Sequence, residues 1–234
     1  MRRNFEGVIL KAVPQSSSSY VVTLFTLQFG KLSGLVRVGR KNIADIQPGN
    51  LVEGEQFKRL ESQLGSITLN CHMVPSARCF GDEQRLQFLH YLVEVLYKGL
   101  GEEEVHAHLY RATKDILATI EQPGLWDRLG FYELQILSSL GYGLSLSSET
   151  AVPCADNSPL MYVSPKSGRA VSAVMGEPYK NKLLKLPALF GGKSEDFLDV
   201  FRLTGHFLDQ ALHGRALKTR EDLISLGENS NFKD

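Results

Sequence analysis

The pattern of apolar and polar positions changes once along the chain, near residue 78. Before that point, short β-rich runs are separated by turns rich in Gly, Ser, Pro and Asn, which is typical of strands joined by tight connections. The pattern predicts five strands, at residues 5–13, 19–27, 31–39, 51–60 and 66–74. Five strands in so short a stretch, with no long helix among them, favour a small closed barrel of the OB-fold type.

After residue 78 the apolar residues recur at helical spacing. The pattern predicts helices near residues 86–100, 109–120, 129–140 and 194–213. The predicted fold class is therefore α+β, β then α: an OB barrel over residues 1–78 and a mostly helical domain over residues 79–226. Residues 144–192 are rich in Ser, Pro and Gly and hold short strand-like pieces, which predicts a small β-containing insert. Residues 227–234 are predicted to form a flexible tail.

The charges are distributed unevenly, although the net charge of the 234 residues is zero. Residues 1–78 carry ten Lys and Arg against five acidic residues, a net charge of about +5, and the remainder carries about −5. A basic barrel is suited to a polyanionic partner such as nucleic acid. The overall charge therefore hides a basic N-terminal module.

The candidate DNA-binding residues gather around the third predicted strand. Arg37 has the parity opposite to Leu32 and Val36, so it is expected to face outward. Cations beside aromatic rings can hold the phosphate backbone and stack bases. The predicted DNA-binding set is Lys31, Arg37, Arg40, Lys41, Arg2, Arg3 and Tyr20, with Phe25 on the neighbouring strand. Spacing alone leaves open a second interpretation, in which these cations form a solvated face over core aromatics.

Catalytic and metal-binding motifs are weak throughout. Gly191-Gly-Lys-Ser194 is similar to the end of a phosphate-binding loop, but Pro187 stands where that motif requires glycine. The cysteines (Cys71, Cys79 and Cys154) are too few for a disulfide framework and too scattered for a zinc site. We therefore expect no enzyme activity, no cofactor and no metal. With neither an apolar signal region nor a membrane span in the pattern, we expect a cytoplasmic protein.

Four segments of the chain form a set that is specific in its order. Two lie in the predicted barrel, Glu6-Gly-Val-Ile-Leu-Lys11 through Val22-Thr-Leu-Phe-Thr26 and Gly30-Lys-Leu-Ser-Gly-Leu-Val-Arg37 with Gly39-Arg40. Two lie in the helical region, Phe131-Tyr-Glu-Leu-Gln-Ile-Leu-Ser-Ser-Leu-Gly-Tyr-Gly143 and Gly214-Arg-Ala-Leu-Lys-Thr-Arg220. Each segment is weak alone, but the four in order resemble the RecO family of bacterial recombination mediators.

The resemblance implies a non-catalytic protein of DNA repair and recombination, associated with the bacterial nucleoid. It implies binding to single- and double-stranded DNA, annealing of complementary strands and partnership with RecR. It also implies contact with the C-terminal tail of single-stranded DNA-binding protein, so that RecA can be loaded. An alternative is a protein–protein adaptor whose barrel has little DNA affinity of its own.

The chain departs from the family pattern at one place. Many relatives carry four zinc-binding cysteines after the Gly-Tyr-Gly motif, whereas residues 144–176 here contain only Cys154. Ser172 stands near the position of a family cysteine. One thiolate cannot form a tetrathiolate site, so we expect the insert to be held by packing alone.

The acidic tail of single-stranded DNA-binding protein requires an apolar pocket with a cation at its rim. Because the helical domain has a net negative charge, the cations that bind the tail must be local. The predicted partner-binding residues are Arg111, Lys114, Arg128 and Arg202.

Overall fold

A computed structural model describes residues 1–60, 63–153 and 158–232, with the backbone but not the side chains of residues 40–42. Within these ranges the strands are β1 (Arg2–Pro14), β2 (Ser19–Thr26), β3 (Gly30–Arg37), β4 (Leu51–Phe57), β5 (Ser66–Met73), β6 (Leu160–Val163), β7 (Ala170–Ser172) and β8 (Leu184–Lys185). The helices are α1 (Glu83–Gly99), α2 (Ala107–Ala118), α3 (Leu125–Ser139), α4 (Ala173–Gly176), α5 (Leu198–Ala211) and α6 (Lys218–Asn229).

Strands β1 to β5 form a closed barrel in the order β1-β2-β3-β5-β4. All neighbours are antiparallel except β3 and β5, which run parallel and share only two residue pairs. The interior is filled by the alternating apolar residues of the strands, among them Ile9, Leu24, Val36, Val52 and Ile67. The predicted five-stranded OB-type barrel is confirmed, because the five predicted strands are present and they close on one another.

The first strand is long enough to serve two neighbours. Its N-terminal half pairs with β4 and its C-terminal half pairs with β2, with a register shift between Ile9 and Lys11. A bulge of this kind bends a strand and increases its twist. It allows one strand to close the barrel from both sides.

The chain divides into two compact units. The first comprises residues 1–123 and 217–227, and the second comprises residues 124–216 and 228–234. The first unit therefore contains the barrel, α1, α2 and most of α6. The domain boundary expected at residue 78 lies between β5 and α1 and stays a prediction.

The helices of the first unit pack through apolar faces and are fixed at their ends. Helix α1 begins where the Asp82 carboxylate accepts a hydrogen bond from Arg85 N at 2.9 Å, an N-cap that satisfies a free helical donor. Glu94 on α1 accepts a hydrogen bond from Thr219 N at 3.1 Å, which ties the start of α6 to α1.

The second unit contains a pair of packed helices and a small sheet. Helices α3 and α5 are joined in their buried contact by a hydrogen bond from Thr204 Oγ1 to the Glu133 carboxylate. The sheet has the order β7-β6-β8 and lies in the predicted insert. The predicted helical region with a small β-containing insert is therefore also confirmed.

At the C-terminus the structure adds one helix and corrects one expectation. Helix α6 was not predicted, and the tail expected from residue 227 begins inside it, because α6 continues to Asn229. The ring of Phe232 then packs edge-on against Trp126, with 5.2 Å between ring centroids. Helix α6 is mostly polar and buries few side chains, chiefly Leu223, so it has little apolar periodicity to detect.

Candidate nucleic-acid interface

The outer face of β2 and β3 carries three of the residues singled out from the sequence, Phe25, Lys31 and Arg37. The register pairs Phe25 with Lys31 at one end of the hairpin and Ser19 with Arg37 at the other. Arg37 is exposed and Val36 is buried, so the predicted outward orientation of Arg37 is confirmed. We call the Phe25–Lys31 end the covered end and the Arg37 end the open end.

Helices α1 and α2 pack over the covered end. Phe25 is fully buried, and its ring meets Tyr110 of α2 edge-on with 5.5 Å between centroids. Lys31 is only 9% exposed. Its ammonium donates to the Tyr97 carbonyl at 3.2 Å and lies 3.5 Å from a Glu102 oxygen. Both side chains therefore stabilise the packing of helices on the barrel and are not presented to a ligand.

An acidic loop before α2 neutralises further cations of the barrel. Arg3 donates to a Glu103 oxygen at 2.9 Å, and the Lys58 ammonium lies 3.6 Å from the same oxygen. The hydrogen bond from Arg3 holds the pKa of Glu103 below its usual value. Much of the excess positive charge counted along residues 1–78 is therefore balanced by residues 102 and 103, which follow that stretch in the sequence.

The open end borders a cleft of about 460 Å³ in the barrel wall. The cleft exists because β3 and β5 pair only at Leu35 with Ser66 and at Val36 with Ile67. It is lined by residues 35–39, by Asp45 and by residues 66–69. In OB barrels, oligonucleotides bind across strands 2 and 3 and the adjacent loops. The open end is therefore the part of the predicted site that keeps an exposed cation on this face.

Arg40 and Lys41 follow directly on the open end, in a 3₁₀ helix that spans Arg40–Ile46. Their side chains lie outside the described residues. Sequence reasoning missed Arg59, an exposed cation in the loop between β4 and β5. That loop adjoins the open end, because Leu35 N donates to the Gly65 carbonyl at 2.9 Å. The Lys58-Arg59 pair at the end of a strand was a signal that could have identified it.

The other predicted DNA-binding residues are placed differently. Arg2 is exposed, lies 3.4 Å from Glu55 and sits over the Phe57 ring. Arg3 is mostly covered, with its guanidinium over the Phe29 ring. Tyr20 packs against the barrel core, so its ring does not lie on the outer face beside Arg37.

The four predicted partner-binding cations are divided between the two compact units. Arg111 and Lys114 lie on α2 in the first unit; Arg111 is exposed, and Lys114 forms an ion pair with Glu6 on β1. Arg128 is half-buried on α3 in the second unit. Arg202 on α5 donates to Asp199 at 2.8 Å and to Asp196 at 3.0 Å.

The residues of the insert do not fit the zinc site that the family resemblance implies. Ser172 is buried at the end of β7, and its hydroxyl accepts a hydrogen bond from Met175 N at the start of α4. Cys154 lies outside the described residues. Among the residues that are described, no group of three or more His, Cys, Asp or Glu could hold a metal ion. Ser172 is thus a helix cap.

The thiols of the first unit are protected by their surroundings. Burial raises the pKa of Cys79 to about 11, and burial likewise raises the pKa of Cys71. Because the thiolate is the reactive form, neither is suited to nucleophilic chemistry at neutral pH. Across the described ranges, no helix has the length and apolar character needed to cross a membrane.

The fold and the open end together define an OB-barrel protein with an accompanying helical region. Comparison with protein families is specific. Residues 1–71 match the family model described as Recombination protein O N terminal, and residues 81–221 match Recombination protein O C terminal. The chain belongs to the RecO family of DNA repair proteins, which are non-catalytic recombination mediators.

Curated relatives agree over nearly the whole length. A protein named DNA repair protein RecO from Methylorubrum populi is 35% identical, covering 95% of this chain and 96% of the relative. Proteins of the same name from Rhodospirillum centenum and Orientia tsutsugamushi are 34% and 33% identical, each covering 88% of this chain and 85% and 88% of the relative. The family resemblance stated from four motifs is confirmed.

Proposed function

We propose that this protein binds single- and double-stranded DNA through the open end of its barrel and anneals complementary strands. It works with RecR and contacts the C-terminal tail of single-stranded DNA-binding protein, so that RecA is loaded onto DNA that is coated by that protein. The observation that carries the DNA-binding part is the exposed Arg37 beside the cleft between β3 and β5. The remaining parts rest on membership of the family.

The DNA-binding part is tested by titrating a fluorescent oligonucleotide with the full chain at several salt concentrations. Binding through phosphates releases counterions, so the logarithm of the association constant should fall linearly with the logarithm of the salt concentration. An association that is weak and insensitive to salt would refute DNA binding at a basic surface.

One observation favours a second function, that of a protein–protein adaptor with little DNA affinity. The cations Arg3, Lys31 and Lys58 are all engaged by the acidic loop at Glu102 and Glu103, which weakens the positive potential of the barrel. Under this hypothesis the chain binds its protein partners normally and the oligonucleotide titration shows no salt-dependent affinity.

For the tail of single-stranded DNA-binding protein, Arg111 is a stronger candidate contact than Lys114 or Arg202. It is exposed on α2, whereas the carboxylates around Lys114 and Arg202 already engage those cations. Fluorescence anisotropy with a labelled tail peptide and the full chain tests this. Arg111→Ala should weaken binding, and Arg59→Ala, which removes an exposed arginine from the barrel, serves as the matched control. Equal effects of the two variants would place the peptide elsewhere.

A further inference from the structure

One stretch of the second unit, residues 158–194, is strongly basic, although the chain after residue 78 is acidic as a whole. Residues 158–194 contain six Lys and Arg and a single acidic residue, Glu177. All six cations are exposed: Lys166, Arg169, Lys180, Lys182, Lys185 and Lys193. A count over the whole helical region hides this local excess.

Two of the six cations are neutralised by neighbouring carboxylates. The Lys180 ammonium lies 2.7 Å from Glu177, which also accepts a hydrogen bond from the Tyr162 hydroxyl at 3.1 Å. The Lys185 ammonium lies 3.3 Å from Asp199 on α5. The other four form no ion pair with any residue in the described part of the chain: Lys166, Arg169, Lys182 and Lys193.

The sheet brings three of these four cations to one end. Lys166 and Arg169 lie in the turn between β6 and β7. Strand β8 runs antiparallel to β6, and Leu184 at its start pairs with Val163, the last residue before that turn. Lys182, two residues before β8, therefore enters the sheet at the same end. We call Lys166, Arg169 and Lys182 the turn-end cations.

The backbone that carries two of the turn-end cations is held in place. Ser164 N donates to the Arg169 carbonyl and Gly168 N donates to the Ser164 carbonyl, each at 2.9 Å. Gly168 has φ of +65°, a conformation that glycine adopts without strain. The turn also meets α5, since His206 Nε2 lies 3.2 Å from the Pro165 carbonyl oxygen. A rigid turn loses little entropy when a ligand binds to its cations.

We propose that the turn-end cations form a second nucleic-acid-binding surface, which contacts the phosphates of a DNA strand separately from the barrel. The proposal rests on the proposed function and deepens it, because annealing requires two strands to be held. Tyr179 lies three residues before Lys182 in the sequence, and it is 61% exposed. Such a ring can stack on a base, as is common where proteins bind single strands.

A phosphate backbone fits this surface better than an acidic peptide does. An acidic amphipathic peptide needs an apolar groove beside the cations. Apart from Tyr179, the large apolar side chains that are exposed in the described part of the insert are Val174 and Met175, which lie on α4. Helix α4 directly follows β7, so it leaves the sheet at the end opposite to the turn. The turn-end cations therefore lie at the end of the sheet opposite to these exposed aliphatic side chains.

The insert offers a matched pair of double variants for the test. K166A/K182A removes two unpaired lysines, and K180A/K185A removes two lysines that are ion-paired. Both variants change exposed residues of the same segment and lower the net charge of the full chain equally. Binding of a long fluorescein-labelled oligothymidine is measured at several salt concentrations, and thermal unfolding confirms that both variants are folded.

The K166A/K182A variant should flatten the slope of log K against log salt by about 1.4, which is about 0.7 per lost phosphate contact on a single strand. The K180A/K185A variant should change it clearly less. Equal changes in the two variants, or no change in either, would overturn the proposal. So would a loss of affinity for a glutamate-rich peptide with the oligothymidine slope unchanged.

The test separates the second surface from the function on which it rests. If the wild-type chain shows no salt-dependent binding at all, the proposed DNA binding fails and the second surface fails with it. If the wild-type chain binds and only barrel variants flatten the slope, DNA binding stands and the second surface alone is wrong.

Discussion

Lys31 and Arg37 lie on the same strand, on the same face of the barrel, and yet their surroundings are opposite. Lys31 is buried against α1, donates a hydrogen bond to the Tyr97 carbonyl and forms an ion pair with Glu102. Arg37, in contrast, is exposed at the edge of a cleft. The strand itself does not create this difference. The helices of the first unit cover the Lys31 end of the strand and leave the Arg37 end exposed. A basic residue on a barrel is available to DNA only where no other element packs on it.

The largest effect is expected where the covered end is packed most closely. Phe25→Ala removes a fully buried ring from Tyr110 and should cost about 3–5 kcal/mol of unfolding free energy. Leu35→Ala, on the same outer face but half-buried near the open end, should cost about 1 kcal/mol. Urea unfolding measures both. Similar costs for the two variants would contradict the conclusion that the helices cover only one end of the hairpin.

A smaller cost is expected at Lys31. Lys31→Ala removes the hydrogen bond to the Tyr97 carbonyl and the contact with Glu102 and should lower stability by about 1–2 kcal/mol. Arg37→Ala should leave the urea midpoint unchanged, because Arg37 is exposed. If the two variants were equally stable, Lys31 would not be a structural residue.

The anchoring of the covering helix α1 predicts a dependence on pH. Burial alone would raise the pKa of Glu94, but hydrogen bonds from Lys98 and Thr219 outweigh it and hold that pKa below its usual value. The stabilisation is therefore present above the ordinary carboxyl pKa and is lost as the pH falls through the lowered value.

Glu94→Gln should accordingly cost about 1–2 kcal/mol at neutral pH, and its difference from wild type should close as the pH falls through the lowered pKa of Glu94. Unfolding curves recorded across this pH range provide the measurement. Glu149→Gln, at an exposed turn position, is the control and should leave the free energy of unfolding at neutral pH as in wild type. A cost for Glu94→Gln that persists in acid would assign the effect to packing rather than charge.

The smallest effect, none at all, is expected from metal removal. Since the insert has a single cysteine within residues 144–176, its folding should not depend on zinc, in contrast to structural zinc sites. A chelator should leave the melting temperature unchanged, and elemental analysis should find no stoichiometric zinc. One zinc per chain would contradict this.

The barrel could be predicted from the sequence because its strands are short, are separated by clear turn residues and alternate inward and outward positions. The outward parity of Arg37 followed from the same alternation. The burial and pairing of Lys31 could not be predicted, because they depend on Tyr97 and Glu102, which lie more than sixty positions further along the chain. Charge counted along residues 1–78 likewise missed the acidic loop that neutralises it.

The helical region shows the same limits. Helices with an apolar stripe were predicted, whereas α6 was missed because its few buried residues give no periodicity. The unpaired cations of the insert were hidden for another reason. Which lysines are ion-paired is decided by contacts such as that between Lys185 and Asp199, which depend on strand register rather than on sequence spacing.

The most direct test of the difference between the two ends is the salt dependence of DNA binding in Arg37→Ala and Lys31→Ala. With a single-stranded oligonucleotide, Arg37→Ala should flatten the slope of log K against log salt by about 0.7, the value for one phosphate contact. Lys31→Ala, measured where it remains folded, should leave the slope as in wild type. A flattened slope in Lys31→Ala with an unchanged slope in Arg37→Ala would contradict the assignment of the open end as the DNA-binding surface.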